Sequence, residues 1–152
     1  MAKFAKLVKQ RWVEAQAELG PIPGLTWDMN EDYPHFKTPR GFGVTLFHPA
    51  EGRYGAWCHM RYPSKMLKQP KARQDGVLRH ELGHVIDLLT PKAHLNRWAK
   101  SRGIKLASTD ERRADDIARA VWGTPIYYDN KLLVQTTQSR GATSPRPRHL
   151  GL

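Results

Sequence analysis

The sequence predicts an α+β fold, with a small antiparallel or mixed sheet beside a histidine-bearing helix and a glutamate-bearing helix. Three observations carry this. Residues 43–48 and 53–62 read as two strands around a turn, Pro49-Ala-Glu-Gly52. The most apolar helical stretch follows and ends at Thr90-Pro91. A later helix spans about residues 109–122, before Gly123-Thr-Pro125. A chain of 152 residues suits one domain. The expected domain covers residues 1–137, with its core at about 42–126 and a basic flexible tail over 138–152.

Taken in order, Phe4, Leu7, Val8, Trp12, Ala15 and Leu19 recur at helical spacing, so residues 3–19 read as an amphipathic helix stopped by Gly20-Pro21. Residues 20–41 hold Pro21, Pro23, Pro34 and Pro39 and read as an irregular connection. After the strand pair, a helix starts between Pro70 and Gly76, with Asp75 as a candidate N-cap. Its apolar positions are Val77, Leu78, Leu82, Val85, Ile86 and Leu89, a stripe wide enough to cross a core. Residues 92–102 form a shorter helix with Leu95, Trp98 and Ala99 inward, closed by Gly103. Residues 132–137 read as a late strand.

Composition narrows the function classes. With 25 Lys+Arg and 14 Asp+Glu the formal charge is +11. The excess is spread: residues 1–76 carry 12 bases and 7 acids, and residues 77–152 carry 13 and 7. Such a chain suits an anionic partner, either an acidic protein or peptide or a nucleic-acid or other anionic surface. The single cysteine, Cys58, forms no internal disulfide and suits a reducing compartment. The N-terminal stretch is broken by lysines and lacks the apolar run of a secretory signal. No run of about 18 apolar residues occurs, so no membrane association is expected. The expected location is the cytoplasm.

The chemistry concentrates at His80-Glu81-Leu82-Gly83-His84. Residues four apart share a helix face, so both imidazoles can reach one metal ion. Zinc accepts neutral imidazole and prefers four ligands. Glu81, one residue on from His80, would take a proton from metal-bound water. Gly83 would leave space above the metal. With 7 His and 6 Glu in the chain, chance placement yields only about 0.01 such motifs. Two histidines and a glutamate amid Leu78, Leu82, Val85 and Ile86 need partners, because unpaired buried polar groups are costly.

A catalytic zinc site needs a third protein ligand. Glu111 opens the later helix 27 residues after His84, and Asp115 follows one turn on. Asp115 could accept the free ring N–H of a ligand histidine. The same Glu111 also completes a capping box with Ser108, in which its carboxylate would serve the helix start instead. Asp87, three residues after His84, is the rival ligand or a support for a histidine or an arginine. A stabiliser for a developing oxyanion is sought among Tyr127, Tyr128, His94, His59 and Arg113. His59 reads as an edge-strand residue, and Cys58 as a small core residue on the opposite face. The five tryptophans read as core.

Together, His-Glu-Leu-Gly-His at 80–84 and Glu-x-x-Ala-Asp-x-Ile-Ala at 111–118 resemble the paired motifs of ImmA/IrrE-type metallopeptidases within the gluzincins. Asp115 and Ile117 stand where Asn and Phe are usual in that family. The resemblance covers about residues 42–126. It implies a minimal zincin fold, zinc held by His80, His84 and Glu111, and Glu81 as base. It further implies that the strand at about 54–61 binds substrate backbone. Small chains of this kind are common in phages, which would place the protein in a host cytoplasm or virion. The expected activity is zinc-dependent endoproteolysis. The alternative is a catalytically idle protein of the same fold, serving as a basic nucleic-acid-binding or phage-particle scaffold component.

Overall fold

In the computed structural model the described residues are 1–123 and, for the backbone alone, 135–140. The fold is α+β. Four helices, α1 (Ala2–Leu19), α2 (Lys71–Leu89), α3 (Lys92–Ser101) and α4 (Asp110–Trp122), pack beside a mixed sheet. Its strands are β1 (Leu25–Met29), β2 (Gly41–His48), β3 (Trp57–Tyr62) and β4 (Gln135–Arg140), in the order β1-β3-β2-β4. The β2–β3 hairpin is antiparallel, whereas β1 runs parallel to β3 and β4 parallel to β2.

α1 buries Phe4, Val8, Trp12, Ala15 and Leu19 on one stripe, and Gly20 ends it at φ 89°. Burying Phe4, Val8 and Leu19 contributes about 1.5–3 kcal/mol each. Phe4 meets Trp27 and Tyr62 edge-on, at ring-centroid distances of 5.6 and 5.1 Å, which ties α1 to β1 and β3. Cys58, Met60 and Tyr62 face the same core, so Cys58 has the expected side. The opposite sheet face carries Val44 and Leu46 under Phe36, from a 3-10 turn at Pro34–Lys37. Trp12, Trp57 and Trp98 are buried, and Trp27 and Trp122 pack half-buried on the core.

Several boundaries differ from the sequence reading. The stretch 20–41 is not wholly irregular, because Leu25, Trp27 and Met29 alternate with Thr26 and Asp28 as a short strand beside β3. A β-carbon at Gly24 would lie 2.9 Å from the Ala56 carbonyl oxygen, so glycine lets this strand enter close to its neighbour. β3 starts at Trp57, because Glu51 and Tyr54 pair across the turn and lengthen it. α2 starts at Lys71 after Pro70, and Asp75 is not its cap. Instead Asp75 accepts two hydrogen bonds from Arg11, at 2.9 and 3.0 Å, joining α1 to α2. β4 continues to Arg140, three residues into the expected tail; residues 132–134 and 141–152 lie outside the described residues. Among the described residues, no helix is long and apolar enough to cross a membrane.

α2 runs through the centre of the molecule, with every residue from Gly76 to Ile86 buried. α4 crosses it closely at Gly83. A β-carbon there would stand 2.3 Å from the Ala114 carbonyl oxygen, a clash with rigid helix backbone. Gly83 therefore sets the approach of the two helices and does not clear space above the histidines. Gly83→Ala should destabilise the fold by about 1–3 kcal/mol through overpacking. Urea denaturation of the two proteins measures this, and an unchanged midpoint and slope would refute the close crossing.

Candidate metal centre

His80 and His84 project from one face of α2 toward the start of α4, with ring centroids 4.6 Å apart. Both are buried, as is Glu81 between them in sequence. α4 begins after Thr109, whose side chain makes no cap hydrogen bond. Glu111, in its first turn, reaches across instead of closing a capping box. Its Oε2 lies 2.9 Å from His80 Nε2 and its Oε1 lies 3.1 Å from His84 Nε2. One donor atom from each of His80, His84 and Glu111 falls within 4.8 Å of the others. This group could hold a metal ion.

Asp115, one turn after Glu111, meets the other nitrogen of His80 at 2.8 Å (Oδ1 to Nδ1). That contact fixes the ring and leaves Nε2 directed at Glu111. Burial works against a charged His80, but the hydrogen bonds to Asp115 and Glu111 outweigh it and push the pKa from 6.5 up to about 9. Partial burial would raise the Glu111 pKa, yet its contacts with His80 and His84 hold it well below the usual carboxylate range. The two carboxylates thus favour the protonated form of the His80 ring between them.

Glu81 is held from the sheet side. It lies against β2, where Thr45 donates its hydroxyl to Oε1 at 2.6 Å. Oε2 is buried with no hydrogen-bond partner among the described residues. Burial raises the Glu81 pKa, against the opposing effect of the neighbouring His84 and His80. Thr45 was absent from the sequence reading. Its alternation with Val44 and Leu46 was legible, but not that its hydroxyl would meet Glu81.

Other expected residues lie apart from the centre. Asp87 supports no histidine; its carboxylate takes Arg113, at 2.8 Å from Nη2, and locks α2 to α4 a turn beyond the site. Arg113, an oxyanion candidate, is held by that ion pair. His94 donates Nε2–H to the Leu19 carbonyl at 2.8 Å and serves the α1–α3 contact. β3 is not an edge strand, since β1 and β2 flank it, so its backbone is not open to a substrate. His59 is correspondingly buried, on the face away from α2. It contacts Thr26 Oγ1 at 2.6 Å and Asp28 Oδ1 at 3.1 Å, and Arg61 also bonds Asp28. Tyr127 and Tyr128 lie outside the described residues.

The chain matches no family model, no curated protein and no solved structure.

A protonated His80 links stability to pH. Its folded pKa lies above the unfolded value of 6.5, so its contribution is complete below that pH and is lost as pH rises toward about 9. Protein stripped with a chelator should therefore show a melting temperature that falls between these values. A divalent ion held by these three residues would displace that proton, so a rise in melting temperature on adding zinc should be greater at the alkaline end. Differential scanning calorimetry across that range checks both; a zinc-induced shift that shrinks with rising pH would contradict the assignment.

Proposed function

We propose that the protein is a zinc-dependent metallopeptidase of the gluzincin type. The observation that carries this is the convergence of His80, His84 and Glu111 from two helices, beside a buried carboxylate, Glu81, with one unsatisfied oxygen. Two imidazoles and one carboxylate form a donor set that suits zinc and leaves a coordination position for water. The motif spacing 80–84 and 111–118 and the α+β fold support the same reading.

In this reading His80, His84 and Glu111 hold the ion, and Asp115 fixes the His80 ring. Zinc, when bound, supplies a Lewis acid that acidifies water and polarises a carbonyl. Glu81 accepts the proton of the attacking water and returns it to the departing amine. Its burial keeps bulk water from competing for that proton. The substrate is a protein or peptide, and the +11 net charge favours an acidic one.

A basic binding module is the second reading. It draws on a cleft of about 380 Å³ between the starts of α1 and α2, lined by Lys3, Lys6 and Lys71. Duplex binding that weakens steeply with salt would support it.

The peptidase reading predicts about one zinc per chain. Glu81→Gln should keep the zinc and lower the turnover of fluorescein-labelled casein by roughly 10²–10⁴-fold. Glu111→Ala should lose most of the metal. Elemental analysis alongside the cleavage assay separates the outcomes, and a metal-free wild-type protein would sink the reading.

A further inference from the structure

Glu81 has two oxygens, and the geometry points to Thr45 as the positioning residue that decides which of them handles the proton. This inference rests on the peptidase reading for its effect on turnover and on the metal centre for its binding readout. Thr45 lies in β2 opposite Met60 in the register, on the sheet face turned to α2. It is fully buried, as is Glu81. A strand position facing a core is ordinarily aliphatic, and a hydroxyl there is costly unless it is hydrogen-bonded. Its Oγ1 lies 2.6 Å from Glu81 Oε1 and 3.3 Å from the Glu81 main-chain oxygen. Glu81 lies mid-helix in α2, where its main-chain oxygen takes the helical bond from residue 85, so the short contact to Oε1 is the one the hydroxyl serves. Because threonine is branched at Cβ, few rotamers are open to it, and the hydroxyl direction is held by the strand.

This bond works in both charge states. As a carboxylate, Glu81 accepts the Thr45 O–H at Oε1. After protonation at Oε2, Oε1 is a carbonyl oxygen and accepts the same bond. Oε2, buried and without a partner among the described residues, is the oxygen left for the water proton. The O–H bond of water breaks, its electron pair stays on the water oxygen, and the proton joins Oε2. Thr45 thus keeps the carboxylate from swinging while one oxygen takes up and releases a proton.

The test uses the full chain loaded with Co²⁺, whose visible spectrum reports the ligands, and acetohydroxamic acid as the probe. The hydroxamic acid must give up its O–H proton as it chelates, so its binding reads proton acceptance without peptide cleavage. Thr45→Val should weaken hydroxamate binding and lower kcat on fluorescein-labelled casein by about 10- to 100-fold. KM and cobalt content should stay unchanged, and Thr45→Ser should behave as wild type. Combining Thr45→Val with Glu81→Gln should bind the probe no worse than Glu81→Gln alone, since both act through one carboxylate. Thr45→Ala, which adds no bulk, gives the same comparison if the valine variant does not fold. Hydroxamate binding unaffected by loss of the hydroxyl, or losses that add in the double variant, would overturn the role of Thr45. Absence of casein cleavage with the hydroxamate pattern intact would overturn the peptidase reading and uphold Thr45. Wild-type protein that takes up no metal would overturn both.

Discussion

The close crossing of α2 and α4 at Gly83 is the constraint on which the rest of the site depends. Glycine inside a helix costs about 1 kcal/mol relative to alanine. Here it lets the Ala114 carbonyl approach to where a β-carbon would otherwise stand. That approach sets the reach of Glu111 toward His80 and His84, and of Asp115 toward the far side of His80. The Asp87–Arg113 ion pair secures the crossing a turn further along. Each contact would lengthen if the helices stood apart by the width of a methyl group.

The sheet performs a second task by closing off the other side of α2. The β2–β3 hairpin presents Thr45 and Met60 to the helix, so Glu81 sits in a dry environment with one oxygen held. Charge is arranged accordingly. The protein is strongly basic, yet Glu81, Glu111 and Asp115 gather at the histidines. Away from the site, some bases hold the fold together: Arg11 pairs with Asp75, Arg61 with Asp28 and Arg102 with Glu18, and Lys65 donates to the carbonyls of Phe36 and Thr38. The ion pairs already cancel in the net charge, so the +11 excess stands on the remaining bases.

Legibility followed the range of the interaction. The i, i+4 spacing of His80 and His84 is a local property of one helix and could be read directly. So could the four helices, whose ends carry Gly20, Thr90-Pro91, Gly103 and Gly123. β1 was also present as an alternation of Leu25, Trp27 and Met29, but the surrounding prolines masked five residues whose strand character depends on pairing with β3. His94 and His59 lie away from the centre and Asp87 took the arginine among its open alternatives, because residue type alone does not say which neighbour a side chain will find. His94 found a helix-end carbonyl, His59 a threonine and an aspartate, and Asp87 an arginine.

By itself the sequence determined the α+β class, the helix carrying His80, Glu81 and His84, and the pairing of that helix with the one bearing Glu111. Periodicity, capping and turn chemistry act within a few residues of one another and leave their mark in order along the chain. Only the tertiary structure decided between Glu111 as a carboxylate facing both histidines and Glu111 as a helix cap. It also placed β3 inside the sheet, gave Gly83 its packing role and brought Thr45 to Glu81. Those outcomes depend on contacts between residues 27 to 36 positions apart, whose distances are set by how the helices and sheet pack and not by any local preference.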